Sequence, residues 1–390
     1  MENKKIYFDN ASTTKPNNEV VREMLQAYSS AYGNPSSLHS FGRESLALIE
    51  KARCQVAKAI GAQPNEIYFT SGGTEANNLA IRGLAYANRS KGNHIITSKI
   101  EHSSILEECK RLEKEGFEVT YLDVDDKGLI NFADLLHYIK STTTVISIMS
   151  ANNEVGTVQH IQAIAKTANE KGIKFHTDAV QAIGHISFNV KAMGIDAMSI
   201  SSHKLHGPKG VGALYVKNGV KIEGLIVGGK QERGVRGGTE NVPGIIGFGK
   251  AIELMVQDST AINKKTRMLS EYLIQKLNDK FDDIKINGHM AQKVPNIVSV
   301  SFNNVKAEGI LTLLDLNGIA VSAGSACEAG SLEPSHVLIA MGLDEVLAQG
   351  TIRISFSKEN TKEEIDYFIE KLVPIIEKLR AISPLRKRKN

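Results

Sequence analysis

The stretch KFHTDAVQAIGHISFNVKAMGIDAMSISSHKLHGPKGVGALYV, residues 174–216, decides the fold. Three short runs in it, Lys174 to Asp178, Ala197 to Ser201 and Val211 to Val216, are rich in apolar and β-branched side chains and end at turn-forming residues, so they read as strands. The same alternation runs back to about Glu66. Further strands are expected at Ile67 to Thr70, His94 to Ser98, Val119 to Leu122 and Thr144 to Ser150, with helices between them such as Ser104 to Lys114 and Ile161 to Lys171. Strands alternating with helices are the signature of βαβ units and a parallel sheet. From Asn241 a helical pattern runs to about Val256, and the order then changes to helix, strand (Asn296 to Phe302), helix, short strand and helix. The chain is therefore expected to be α/β, with a large, mainly parallel-sheet domain over residues 16–258. A smaller C-terminal α/β domain would take residues 259–390 together with residues 1–15.

Composition narrows the class. The 390 residues are 42% hydrophobic and 23% charged, ordinary for a soluble globular protein. A net charge of +4, spread along the chain, argues against nucleic acid or an anionic membrane as partner. The one local excess, Arg386 to Lys389, reads as a solvated tail. No segment has the apolar core of a signal peptide or approaches a membrane span, so a cytoplasmic location is expected. Three cysteines, Cys54, Cys109 and Cys327, form neither a disulfide framework nor a zinc spacing, and no metal site is expected.

The chemistry gathers at expected strand ends. Lys204 sits on a tight loop between two strands, where an amine can form a Schiff base if its surroundings leave it uncharged. Asp178 ends a strand at the sheet edge where open α/β sheets bind ligands, and a carboxylate there can hold a pyridinium nitrogen protonated. Gln181, three residues on, could reach a ring substituent. The segment IYFTSGGTEANNLAI runs from strand through Ser71-Gly72-Gly73-Thr74 into a helix, and free N–H groups at such a start bind phosphate. His102 and Asn153 also follow strands, offering an imidazole to lie on an aromatic ring and an amide for a ring oxygen.

Two more residues come from the C-terminal part. Cys327 lies in a loop of Ser, Ala and Gly with no apolar neighbour to bury it, which suits a reactive thiol better than a packed one. By contrast, Cys54 lies among alternating apolar residues and Cys109 in a helical stretch, so both read as packing. Arg353 alternates with apolar residues in GTIRISFS, and a buried guanidinium needs an anionic partner such as a substrate carboxylate or a structural acid.

Taken together, YFDNASTT, GNPSSLHSFG, FTSGGTEANN, the pair Glu101-His102, ANNEVG, HTDAVQ, SSHKLHGPKG, ERGVRGGTEN, SAGSAC, GSLEPSHVL and GTIRIS resemble, in order and spacing, the cysteine desulfurases of the class V aminotransferase-like enzymes. The likeness runs from about Ile6 to Leu379. It implies a fold type I pyridoxal-phosphate-dependent transferase that converts L-cysteine to L-alanine. Residue by residue, the resemblance implies that Lys204 holds pyridoxal 5'-phosphate, with Asp178 on its ring nitrogen, His102 stacked on the ring and Gln181 and Asn153 at the ring oxygen. The phosphate would lie against Gly73, Thr74, Ser201 and His203, with Thr239 reaching it from the other subunit of a homodimer. Arg353 and Asn34 would take the substrate carboxylate, and Cys327, on the long form of its loop, would accept the sulfur as a persulfide. An iron-sulfur scaffold or other sulfur-carrier protein would then discharge it. Selenocysteine lyase and a catalytically silent sulfur-transfer scaffold are the other readings of the same constellation. Glu328 stands where the family usually carries Thr or Ser, and a carboxylate beside the thiol is expected to raise the Cys327 pKa by less than about one unit.

Overall fold

The computed structural model describes residues 5–324 and 334–383. After a short first strand, β1 (Ile6–Tyr7), the main sheet takes β2 (Ile67–Thr70), β3 (His94–Ser98), β4 (Glu118–Leu122), β5 (Thr143–Ser147), β6 (Lys174–Asp178), β7 (Ala197–Ser201) and β8 (Gly212–Val216). Their spatial order is β2-β8-β7-β6-β5-β3-β4. The run from β7 to β4 is parallel, and β8 is antiparallel to both of its neighbours. Every residue of β3, β5, β7 and β8 is buried, as expected of central strands covered on both faces. The helix Gly73–Ala87 packs across β5 to β8, and the helix Ser40–Ile60 packs on the helix Val242–Gln257.

A second sheet is antiparallel. It comprises β9 (Ile284–Asn287), β10 (Ile297–Phe302), β12 (Ser322–Ala323) and β13 (Thr351–Ser355) in the order β12-β13-β10-β9, while β11 (Ile319–Ala320) pairs in parallel with β1. Its apolar core is a cluster of its own, including Leu273, Val300, Phe302, Ile354 and Phe368, and it also takes Ile6 and Phe8. Phe8 meets Phe356 and Phe368 edge-on at 5.2 and 5.9 Å. Full burial of such a ring stabilises by about 2–3 kcal/mol, enough to fasten the N-terminal segment here. The backbone then crosses to the main sheet, where Thr14 N donates to His203 O and Asn17 N to His206 O. Residues 9–12 thus pass between the two sheets.

Local expectation and structure differ at two instructive places. The strand expected over Thr144 to Ser150 ends as a regular strand at Ser147, yet Ile148 N and Ser150 N still donate to His176 O and Asp178 O, so extended backbone reaches the sheet end. Cys54, expected to pack, is exposed. The buried face of its helix is Ile49, Ala52, Arg53, Val56, Ala57 and Ile60, a 3.6-residue period that leaves position 54 outside. Cys109 is fully buried, and burial pushes its thiol pKa well up. Among the described residues no helix is long and apolar enough to cross a membrane.

Candidate active site

A cavity of about 450 Å³ opens beyond the carboxyl ends of β3, β5, β6 and β7. It is lined by ten of the residues singled out in the sequence: Gly73, Thr74, His102, Asn153, Asp178, Gln181, Ser201, His203, Lys204 and Arg353. Two others do not join them. Asn34 is exposed, its side chain accepting from Ser36 N, and Thr239 lines a separate cavity of about 160 Å³ with Ser71, Gly210 and Asn241. Cys327, with Glu328, lies outside the described residues, as does the basic tail.

The polar partners define what each side chain can do. Lys204 Nζ donates to Ala11 O and to Ser12 O, both at 2.6 Å. Gln181 Nε2 donates to the same Ala11 carbonyl at 2.7 Å. Asp178 ends β6 almost fully buried, and its two oxygens accept from Asn77 Nδ2 (2.7 Å) and Val180 N (2.9 Å). Those two donors orient the carboxylate.

His102 precedes the helix Ser103–Lys114, and its Nδ1 accepts from Ser104 N at 3.1 Å. An amide can only donate, so the neutral ring carries its proton on Nε2. His203 is pushed down to about 4 by burial and then by the charges of Lys204 and Lys209. Its imidazole is therefore uncharged at neutral pH and serves as a hydrogen-bonding group.

Arg353 projects from β13 and is 1% exposed. It spans the two halves of the site, with Nη1 on Asn153 O (2.8 Å) and Nη2 on Asp9 Oδ1 (3.1 Å) and Ser12 Oγ (2.6 Å). Its Nε has no partner among the described residues.

Beneath His102 lies Glu101, fully buried. Oε1 accepts from Ser98 Oγ (2.6 Å) and Met149 N (3.0 Å), while Oε2 has no partner among the described residues. Burial outweighs those two donors and, helped by the charge of Asp178, pushes the carboxyl up to about 8. The folded protein thus keeps a proton that the unfolded chain releases above 4.5, so this contribution is full below that pH and is lost as pH rises to about 8. Glu101→Gln, which cannot ionise, is expected to gain stability over the parent as pH rises from 5 to 8.5, by up to ~4 kcal/mol. A difference in denaturation midpoint that stays flat across that range contradicts the assignment.

Several site residues carry little or no signal in the sequence. Asp9 and Ser12 reach the cavity only because residues 9–12 run between the two sheets. Asn77 has a weak signal, being polar on a helical face otherwise made of Ala76, Leu79 and Ala80. Ser322 enters because β12 pairs it with Arg353.

A loop lysine, a buried carboxylate and an uncapped helix start at one end of a largely parallel sheet define a fold type I pyridoxal-phosphate enzyme. The chain belongs to the class-V aminotransferase family, whose model, Aminotransferase class-V, matches residues 6–368. It is 50% identical over 385 residues to cysteine desulfurase IscS of Clostridium botulinum, covering 98% of this chain and 97% of that one. It is also 50% identical to cysteine desulfurase IscS of Methanosarcina thermophila, over 98% and 95% of the two chains. Among solved structures, a NifS-like protein superposes with a TM-score of 0.91 at 41% identity, covering 96% of this chain and all of that one. A NifS-like protein from Rickettsia africae gives 0.87 at 35% identity, with 96% of this chain and 100% of that one covered.

The residues present fit the cofactor of that class. The helix Gly73–Ala87 has no side-chain cap, and a Cβ at Gly73 would stand 2.9 Å from Val180 Cγ2, so the bare glycine keeps a cradle open against Ser201. Free N–H groups there suit a phosphate, Asp178 suits a ring nitrogen, and Lys204 suits an aldehyde.

Proposed function

We propose that this chain is a cysteine desulfurase that takes sulfur from L-cysteine onto Cys327 and releases L-alanine. The observation that carries the reading is one cavity lined by Lys204, the buried Asp178 carboxylate and the buried Arg353 guanidinium. Pyridoxal 5'-phosphate would be held by Lys204, with Asp178 at the ring nitrogen, His102 over the ring and Asn153 and Gln181 at its oxygen. Gly73, Thr74, Ser201 and His203 would take the phosphate, with Thr239 of the partner subunit completing it. Bound there, the group supplies an electron sink for the pair released at the substrate Cα.

The chain's own residues do the rest. Arg353 and Asn34 orient the substrate carboxylate, and Lys204 Nζ, once released, receives the Cα proton. The Cys327 thiolate attacks the substrate sulfur, forming an S–S bond as the Cβ–S bond breaks. Carbon keeps that electron pair and is protonated to alanine, while the enzyme holds a persulfide. A thiol of a sulfur-carrier or iron-sulfur scaffold protein then takes the outer sulfur.

Leu25, Tyr28, Tyr32 and Leu38 are 64, 65, 71 and 91% exposed, an apolar surface suited to a second copy in a homodimer. We place residues 16–258 in one domain and residues 1–15 with 259–390 in the other, a division near Asp258 supported by the change there from the helix Val242–Gln257 to the helix Ser259–Lys280. The free thiols of Cys54 and Cys109 suit a reducing cytoplasm.

Incubation with L-cysteine and a reductant is expected to yield alanine and sulfide in equal amounts, and absence of alanine overturns the reading. Arg353→Lys keeps the charge but loses the planar fork, so the KM for L-cysteine is expected to rise ~10- to 100-fold. An unchanged KM would detach Arg353 from the substrate.

A further inference from the structure

The residues flanking segment 325–333 converge on one buried carboxylate, that of Glu154, which is 2% exposed. Ser335 Oγ donates to Glu154 Oε2 at 2.5 Å. On the other side, a Cβ built on Gly324 would lie 2.9 Å from the same Oε2 and 3.3 Å from Ser335 Cβ, so the two flanks stand side by side against Glu154.

The carboxylate belongs to the turn that builds the cavity. The preceding residue, Asn153, lines the cavity and offers its carbonyl to Arg353 Nη1. Asn152 Oδ1 accepts from Glu154 N, and Asn152 Nδ2 donates to Ile100 O, which ties this turn to the one bearing His102. A second tie is parallel: His336 Nε2 donates to Glu101 O at 3.0 Å, and Val337 and Leu338 pack in the cluster of Ile100, Met149 and Val155.

We propose that Glu154 is a positioning residue that fastens both flanks of the Cys327-bearing segment to the cofactor-lining turns, through its bond to Ser335 and its close seat under Gly324. Cys327 follows Gly324 by three residues in the sequence, so the anchor lies close along the chain to the proposed nucleophile. Without that anchor Gly324 and Ser335 are no longer held against the cofactor-lining turns, which is expected to cost turnover rather than substrate affinity. Glycine at 324 follows from the same packing, since a side chain there meets the carboxylate.

The inference rests on the desulfurase reading, and its test separates the two. In Glu154→Ala, backbone amide exchange in the peptide 335–341 is expected to quicken at least ~10-fold while the peptide 197–216, which holds Lys204, is unchanged. Alanine formation falls ~10-fold with the KM for L-cysteine within twofold. Glu154→Gln, whose amide oxygen still accepts from Ser335, keeps both within about threefold. Gly324→Ala alone slows turnover, but adds nothing in the Glu154→Ala background, where the space beneath it is vacant. Unchanged exchange in Glu154→Ala, a Gln variant as impaired as the Ala variant, or additive effects of the Gly324 and Glu154 changes overturn the anchor. If the parent makes no alanine, the desulfurase reading fails, and the exchange comparison still decides the anchor.

Discussion

Lys204→Ala abolishes the visible absorbance of the lysine-bound cofactor and lowers alanine formation from L-cysteine by ~10³-fold or more. The expectation follows from where the amine is held. Its Nζ donates to the carbonyls of Ala11 and Ser12, at the centre of a cavity whose other walls are Asp178, His102 and Arg353. A lysine so placed has a fixed direction. Lys209, five residues on, is the nearest competitor, but it is exposed and does not line the cavity. Borohydride reduction followed by peptide mapping decides between them. A tag on Lys209, or near-normal turnover in Lys204→Ala, removes Lys204 from the mechanism.

Cys327→Ser is expected to keep the cofactor absorbance and the spectral change on adding L-cysteine, while alanine and sulfide production fall ~10³-fold. A serine hydroxyl is a far poorer nucleophile toward sulfur than a thiolate, and the residues proposed to hold cofactor and substrate are untouched by the change. The cofactor site and the nucleophile therefore fail separately. The two other thiols provide the control. Cys54 is exposed on the helix Ser40–Ile60, away from the cavity lining, and Cys109 is buried with its thiol pushed up, so Ser at either position leaves turnover nearly unchanged. Full activity in Cys327→Ser excludes it as sulfur acceptor.

Most of the cavity is legible in the sequence because its residues follow strand ends. β2, β3, β6 and β7 fall on the expected residues, and Asp178, Ser201, His203 and Lys204 lie at or just past two of those ends. A parallel sheet aligns all such ends along one edge, so local patterning carries three-dimensional information there. The exception within the set is Arg353, legible only as a charge inside an apolar strand, with no hint that Asn153, Asp9 and Ser12 would receive it.

The sequence by itself determined the α/β architecture, the family likeness and the strand-end residues, since each depends on short-range periodicity or on contiguous motifs. Tertiary structure alone decided the rest. The contact of Lys204 with Ala11 spans 193 positions, that of Arg353 with Asp9 spans 344, and that of Ser335 with Glu154 spans 181. No local pattern encodes such pairs. They arise when Ile6 and Phe8 bury themselves in the second core, drawing residues 9–12 across the site, and when Val337 and Leu338 seat the far flank of the Cys327 segment beside β3 and β5. Burial in the folded chain likewise pushes the Glu101 carboxyl up to about 8 and His203 down to about 4, because a charge loses its water only after the chain has closed around it.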